Sequence, residues 1–175
     1  MKSNELISSE YSSFNVTYIN TVDQNIDLMD GFEMGFEEMI ALISNTEIEK
    51  LEYRYAVGKW TIKDIIQHII DTERIFSYRA LRISRNDLTP LPSFEENDYV
   101  DNANANCRSI QDLLNELKVV RASTIILFKN FSNMQLNNLG IASNHPISVR
   151  AIGFIIIGHQ QHHFKIIKER YLDIR

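Results

Sequence analysis

Apolar residues recur at three- and four-residue intervals in four separate stretches of this chain, the spacing expected of amphipathic helices. The first stretch runs from about Asp23 to Ile43 and carries Ile26, Met29, Phe32, Phe36, Met39, Ile40 and Ile43 on one face. Gly31 and Gly35 lie within it, either weakening the helix slightly or letting another helix approach closely. The second stretch reaches about Ser84, with Ile62, Ile65, Ile66, Ile69, Ile70 and Phe76 as its stripe. Its start is well marked: Thr61 is a good N-cap, Asp64 gives a variant capping box, and Trp60 is placed to staple onto Ile65. The third spans roughly Ser109 to Asn130, with Ile110, Leu113, Leu114, Leu117, Val120, Thr124, Leu127, Phe128 and Phe131 on one side. The fourth follows the N-cap candidate Ser148 and runs from Val149 to about Arg170.

Strand-like alternation is not evident, so the pattern predicts an all-α protein, a four-helix bundle of helices about 20 residues long. Residues 1–20 read as a polar, partly aromatic leader, and residues 21–175 as a single bundle domain. Tyr53 to Trp60 reads as an extended, aromatic-rich connection, and residues 132–147 as a connector. Asn86 to about Arg108 is the longest non-helical stretch, with Pro90, Pro92 and a polar Asn-rich run. This long connection between the second and third helices permits a topology other than simple up-down-up-down, and loops of such length often border a site.

Composition narrows the function classes. Hydrophobic residues make up 44% and charged residues 23% of 175 residues, enough apolar material for a real core. The net charge of −5 gives no basic footprint for DNA or RNA. The longest apolar run, Phe154 to Ile157, is far too short to span a membrane, and the opening residues do not lead into a signal-peptide core. Cys107 is the only cysteine and has no internal disulfide partner. A cytoplasmic protein with neither nucleic-acid nor membrane partners is therefore expected.

Two histidines break the apolar stripe of the fourth helix. At about 100° per residue, Val149, Ile152, Ile155, Ile156, Ile166 and Ile167 align, and His159 and His163 fall within about 20° of the stripe's centre. An apolar interior disfavours imidazoles unless their nitrogens find partners, and a metal ion held by an i, i+4 pair supplies one. Buried histidines bonded to backbone or carboxylate are the plain alternative, and spacing leaves both open. A metal site needs at least a third ligand. His68 in the second helix is the best candidate, although it projects roughly 120° from that helix's stripe. His162 falls at the edge of the fourth helix's stripe, and His145 precedes a proline in the connector; both are weaker.

No general base stands out. Asp71 projects away from the apolar stripe and reads as a surface carboxylate. Tyr78, Arg79 and Arg82 either contact an anionic substrate or pair with Glu95, Glu96 and Asp98, and the pairing is favoured. Phe154, Ile157 and Phe164 lie off the histidine stripe, where they can pack on a partner subunit. Cys107, in a polar loop, has no feature of a nucleophile.

The segment from Tyr55 to Arg74, which contains Gly58-Lys59-Trp60-Thr61 and His68, resembles the DinB-like superfamily. Tyr78 to Arg82, Leu91 to Phe94, Asn97 to Tyr99, Pro146 to Ala151 and Gly158 to His163 extend the likeness over most of residues 50–170. The resemblance is to the branch with metal-dependent hydrolase-like and thiol-transferase proteins. It implies a four-helix bundle holding a divalent metal, zinc or nickel, on three side chains that match His68, His159 and His163. It further implies a homodimer acting on a small-molecule substrate, by hydrolysis or by transfer of a low-molecular-weight thiol. The competing expectation is a non-catalytic, metal-stabilised bundle serving as a dimeric stress-response or interaction module. A closed four-ligand site would favour that module, and an open position facing a pocket would favour an enzyme.

Overall fold

The first periodic stretch folds as two helices rather than one, and local chemistry explains both breaks. In the computed structural model, which describes residues 1–174, 3₁₀ turns at Ser3–Glu5, Ser8–Glu10 and Ser13–Asn15 lead into a one-turn helix, α1 (Val16–Ile19). The Asp23 carboxylate accepts from the Asn25 amide (2.9 Å), a local turn that competes with helix. Helical structure resumes only after Asp27, whose side chain accepts from the Met29 amide (3.0 Å) and caps α2 (Leu28–Glu33). Gly35 then adopts φ +70°, a left-handed conformation available to glycine, and redirects the chain into α3 (Phe36–Ser44). A single turn, α4 (Ile48–Leu51), follows.

Two of the other long helices, those after Thr61 and Ser148, begin at their expected caps. The Thr61 hydroxyl accepts from the Asp64 amide and the Asp64 carboxylate from the Thr61 amide (3.0 Å each), opening α5 (Ile62–Ser84). The long connection carries its own helix, α6 (Glu96–Ala103), and a 3₁₀ turn at Ala105–Cys107. Ser109 caps α7 (Ile110–Lys129), which precedes the short α8 (Asn133–Leu136). Ser148 caps α9 (Val149–Ile166), whose last residues continue with π-helical winding over Ile167–Tyr171. The bundle is formed by α2 with α3, α5, α7 and α9. Helix α5 packs on α7 and α9, and α1 and α2 pack on α9.

Two expectations need correction. Residues 139–148 are not an irregular connector but an antiparallel hairpin, β1 (Leu139–Ala142) paired with β2 (His145–Ser148). Its two turn residues, Ser143 and Asn144, both have positive φ (51° and 65°), the geometry that matches hairpin twist. Pro146 stands opposite Ile141, one pair out from the turn, where the ladder asks no N–H of it. Backbone bonds from Leu91 N to Ile141 O (2.9 Å) and from Ser143 N to Leu91 O (3.0 Å) tie the long connection to this hairpin. The second correction concerns Phe154, Ile157 and Phe164. All three are buried within this chain, so they present no face to a partner. Helix α9 is covered nearly all round, which accounts for its apolar residues beyond a single stripe.

The N-terminal segment closes one side of α9. Buried Glu10 accepts from the Ser148 hydroxyl (2.6 Å) and pairs with Arg150, joining the segment to the start of α9. Burial works to raise its pKa, but Arg150, Ser148 and the Ile7 amide together hold the carboxyl below its usual range. At Gly158 the two backbones meet: a methyl added there would lie 2.0 Å from the Tyr18 carbonyl oxygen.

Inside the bundle, the network around one buried ion pair joins four helices. Arg121 of α7 donates from Nε and Nη2 to the two carboxylate oxygens of Glu73 on α5 (2.9 Å each). Its Nη1 donates to Phe32 O (2.6 Å) and to Gln160 Oε1 of α9 (2.7 Å). Both charged side chains are 2% exposed. Arg121→Met leaves the carboxylate buried and unpaired, and is expected to cost about 3–5 kcal/mol. Adding Glu73→Leu should recover most of that loss in urea titrations; a double variant no more stable than the single would contradict this account. For Gly158→Ala, the helix-propensity gain of about 1 kcal/mol is outweighed by an overpacking cost of about 1–3 kcal/mol. Its Tm should fall by a few degrees, about 2–5 °C, with faster amide exchange over residues 13–19.

Candidate metal centre

Helices α5 and α9 bring three imidazoles to one point. His68 lies in the second turn of α5; His159 and His163 are one turn apart on α9. The Nε2 atoms of His68 and His159 are 2.9 Å apart, and those of His163 and His159 are 3.2 Å apart. His68 reaches the cluster because α5 is buried well beyond its isoleucine stripe, with Gln67, Thr72 and Arg79 also covered. The off-stripe flank is the one that meets the cavity beside α9.

The donor set suits a cation. A neutral imidazole nitrogen is either a donor or an acceptor, so three Nε2 atoms facing each other cannot satisfy one another completely. A shared cation takes up all three lone pairs. Metal–nitrogen bonds of about 2.0–2.1 Å at a tetrahedral angle need nitrogens about 3.3 Å apart, close to the observed spacing. His163 Nδ1 is buried without a protein partner, and the Thr72 hydroxyl lies 3.5 Å from His68 Nδ1. Burial pushes the His68 imidazole down to about 4 and holds His159 and His163 well below the usual range, neighbouring imidazoles adding to the effect. All three are therefore neutral at pH 7, the form that ligates metal. Among the described residues, no fourth histidine, cysteine or carboxylate joins the cluster.

The histidines open into a cavity of about 430 Å³. Trp60 packs against His68 (4.8 Å between ring centres) and lies nearly parallel to His163, so it lines this site beyond any staple role at the helix start. Tyr18 of α1 sets its ring edgewise to His159 (5.2 Å) and His162 (5.5 Å). Phe76, Phe94 and Ile147 supply apolar wall, and His145 and Ser143 reach it from the hairpin. Half-buried His162 stays outside the cluster. No local sequence signal marks Tyr18 or Ser143, because their contacts with the site are long-range.

The remaining polar candidates sort plainly. Asp71 accepts from Gln67 (3.0 Å) and is absent from the cavity lining. Glu73 is committed to Arg121. Arg82 pairs with Asp87 and donates to the Tyr78 hydroxyl (2.8 Å), not to the acids of α6. Buried Arg79 also pairs with none of those acids. It donates through Nη2 to Pro92 O (2.7 Å) and the Ser143 hydroxyl (3.1 Å), with its guanidinium over Phe76 and Phe94. Cys107 is exposed and away from the cavity.

A helical bundle whose facing helices converge three buried histidines on a cavity defines a class of candidate metal proteins. Residues 32–167 match the DinB superfamily, and the chain belongs to that family. A protein of Oceanobacillus iheyensis named as a candidate metal-dependent hydrolase is 23% identical over 128 residues, covering 72% of this chain and 73% of the relative. The solved structure of YfiT from Bacillus subtilis, described as a probable metal-dependent hydrolase with an unusual four-helix bundle topology, superposes with a TM-score of 0.76. That match covers 95% of both chains at 14% identity and establishes the shared fold.

The depressed histidine pKa values predict acid sensitivity of the metal-stripped protein. Each histidine binds a proton near pH 6.5 when unfolded and only at lower pH when folded, so the unfolded state takes up more protons as pH falls between those values. The associated stability is present above about pH 6.5 and is lost progressively towards pH 4. His68 alone should contribute a loss of about 2 kcal/mol between pH 7 and pH 5. Urea midpoints of EDTA-treated protein should decline steadily over that range; an unchanged midpoint would rule the effect out.

Proposed function

We propose that this protein is a metal-dependent enzyme in which His68, His159 and His163 hold a divalent ion, zinc or nickel, and that it hydrolyses a small-molecule substrate. The observation that carries this reading is the convergence of three neutral imidazole nitrogens at the wall of an open cavity. When bound, such an ion supplies Lewis acidity: it polarises a carbonyl, lowers the pKa of water towards about 7, or stabilises a thiolate. The chain's own residues prepare the site. Burial keeps the imidazoles unprotonated, Trp60 and Tyr18 fix the rings by packing, and the apolar wall limits water around a bound substrate. The hydrolase descriptions of the two relatives support this reading.

Transfer of a low-molecular-weight thiol is a second reading of the same centre. It is favoured by the scarcity of acids: Glu96 is the one carboxylate lining the cavity among the described residues, and a thiolate requires no general base once formed. A non-catalytic, metal-stabilised module accounts less well for a three-ligand set that faces a cavity. Protein purified without a histidine tag should contain about one equivalent of divalent metal by elemental analysis. His159→Ala should lower that content at least about tenfold and abolish activity in a combined esterase and thiol-transfer screen, whose active arm separates the two reactions. Full metal content and activity in His159→Ala would refute the assignment.

A further inference from the structure

One buried charged side chain lacks a counter-ion. Among the described residues, Glu10, Lys63, Asp64, Glu73, Arg79 and Arg121 are the buried charged side chains. All but Arg79 have an ion-pair partner. Arg79 is 5% exposed, yet its hydrogen bonds go to two neutral oxygens, and both leave from Nη2. A largely buried guanidinium held by neutral acceptors and aromatic faces but no counter-ion is costly, and an anion that reaches it recovers part of that cost. Nε and Nη1 have no protein acceptor among the described residues, and Arg79 lines the same cavity as the histidine cluster.

Its position sets the shape of what binds. His68, Thr72, Phe76 and Arg79 follow one another along one side of α5 at steps of four, four and three residues, and all four line the cavity. Eleven residues of helix separate the Cα atoms of His68 and Arg79 by about 16 Å, and Phe76 and Phe94 stand close to the guanidinium. Arg79 is the only lysine or arginine lining the cavity among the described residues, and Glu96 lines it too. A single guanidinium, with no second lysine or arginine lining the cavity among the described residues, matches a monoanion rather than a dianionic phosphate, and a carboxylate oxygen can accept from its free Nε–H.

We propose that Arg79 anchors the carboxylate of an elongated small-molecule substrate whose apolar middle lies along Phe76 and whose reacting group reaches His68, His159 and His163. This assignment rests on the enzymatic reading of the histidine site and adds the substrate class to it.

The chain's single tryptophan, Trp60, lines the cavity, so its fluorescence reports ligand entry. We would titrate the full-length protein, zinc-loaded and EDTA-treated, with 4-phenylbutyrate and with the uncharged 4-phenylbutyramide. In both preparations the acid should bind at least about tenfold more tightly than the amide. Arg79→Gln should abolish the preference for the acid over the amide, whereas Arg79→Lys should retain a smaller preference. The Arg79 Nε–H signal in nitrogen-15 NMR of the wild-type protein should shift with the acid and not with the amide, a readout that needs no Arg79→Gln protein. Equal affinities in the wild type, no measurable binding of the acid, a preference surviving Arg79→Gln, or an unmoved Nε–H signal would each overturn the proposal. A preference that disappears with EDTA would put the carboxylate on the metal and overturn it as well. Purified protein without metal would refute the hydrolytic reading while leaving the EDTA-treated titrations intact, so the two failures are distinguishable.

Discussion

The bundle is organised around a single buried guanidinium. Arg121 reaches from α7 to Glu73 on α5, to Gln160 on α9 and to the Phe32 carbonyl of α2. Hydrogen bonds of this kind are directional, so they specify the height and rotation of each helix more sharply than apolar packing does. Gln160 is adjacent to His159, and Glu73 is five residues beyond His68. A network that sets the register of α5 against α9 therefore sets the distance between the histidines as well. Replacing the pair with apolar residues need not weaken the fold, because removing both charges also removes their desolvation cost.

The same layer divides the interior. One apolar cluster gathers α1, α2, the hairpin, the end of α5 and the start of α9; another gathers α3, the start of α5, the start of α7 and the end of α9. Between them lie the histidines, Thr72, Glu73, Arg121 and Gln160, all buried. Polar groups are tolerated at this depth because most of them bond to one another, while the histidine nitrogens converge where a cation would satisfy them. The cavity opens where the bundle is covered by non-bundle parts: the N-terminal segment, the connection at Phe94 and Glu96, and the tip of the hairpin. The bundle positions the three imidazoles and the appended segments shape the space beside them, a division of labour common to sites on helical scaffolds.

Much of this was legible in local pattern. The caps at Thr61 and Ser148 mark the starts of α5 and α9, because capping depends on residues within a single turn. The His159–His163 pair stands out because two polar rings interrupt an apolar stripe. Other features escape local reading. Gly35 breaks the first helix through its backbone angle, which periodicity does not register. The hairpin strands are four residues each and use Ser143-Asn144 rather than a glycine-containing turn, so their alternation is too short to stand out. Phe154, Ile157 and Phe164 look like a free face only until the neighbours that cover α9 are known.

By itself the sequence determined the long helices α5, α7 and α9 and set two imidazoles one turn apart on the apolar stripe of α9. These follow from interactions within one or two helical turns: apolar spacing, caps, and imidazoles one turn apart. Tertiary structure alone decided that His68 joins the pair from a flank off its stripe, that Trp60 and Tyr18 enclose the rings, and that Arg79 remains buried without a carboxylate. Each depends on which segments meet across long stretches of chain. Local propensity carries no information about that, because it is settled only when the apolar faces and the Arg121 network choose one packing together.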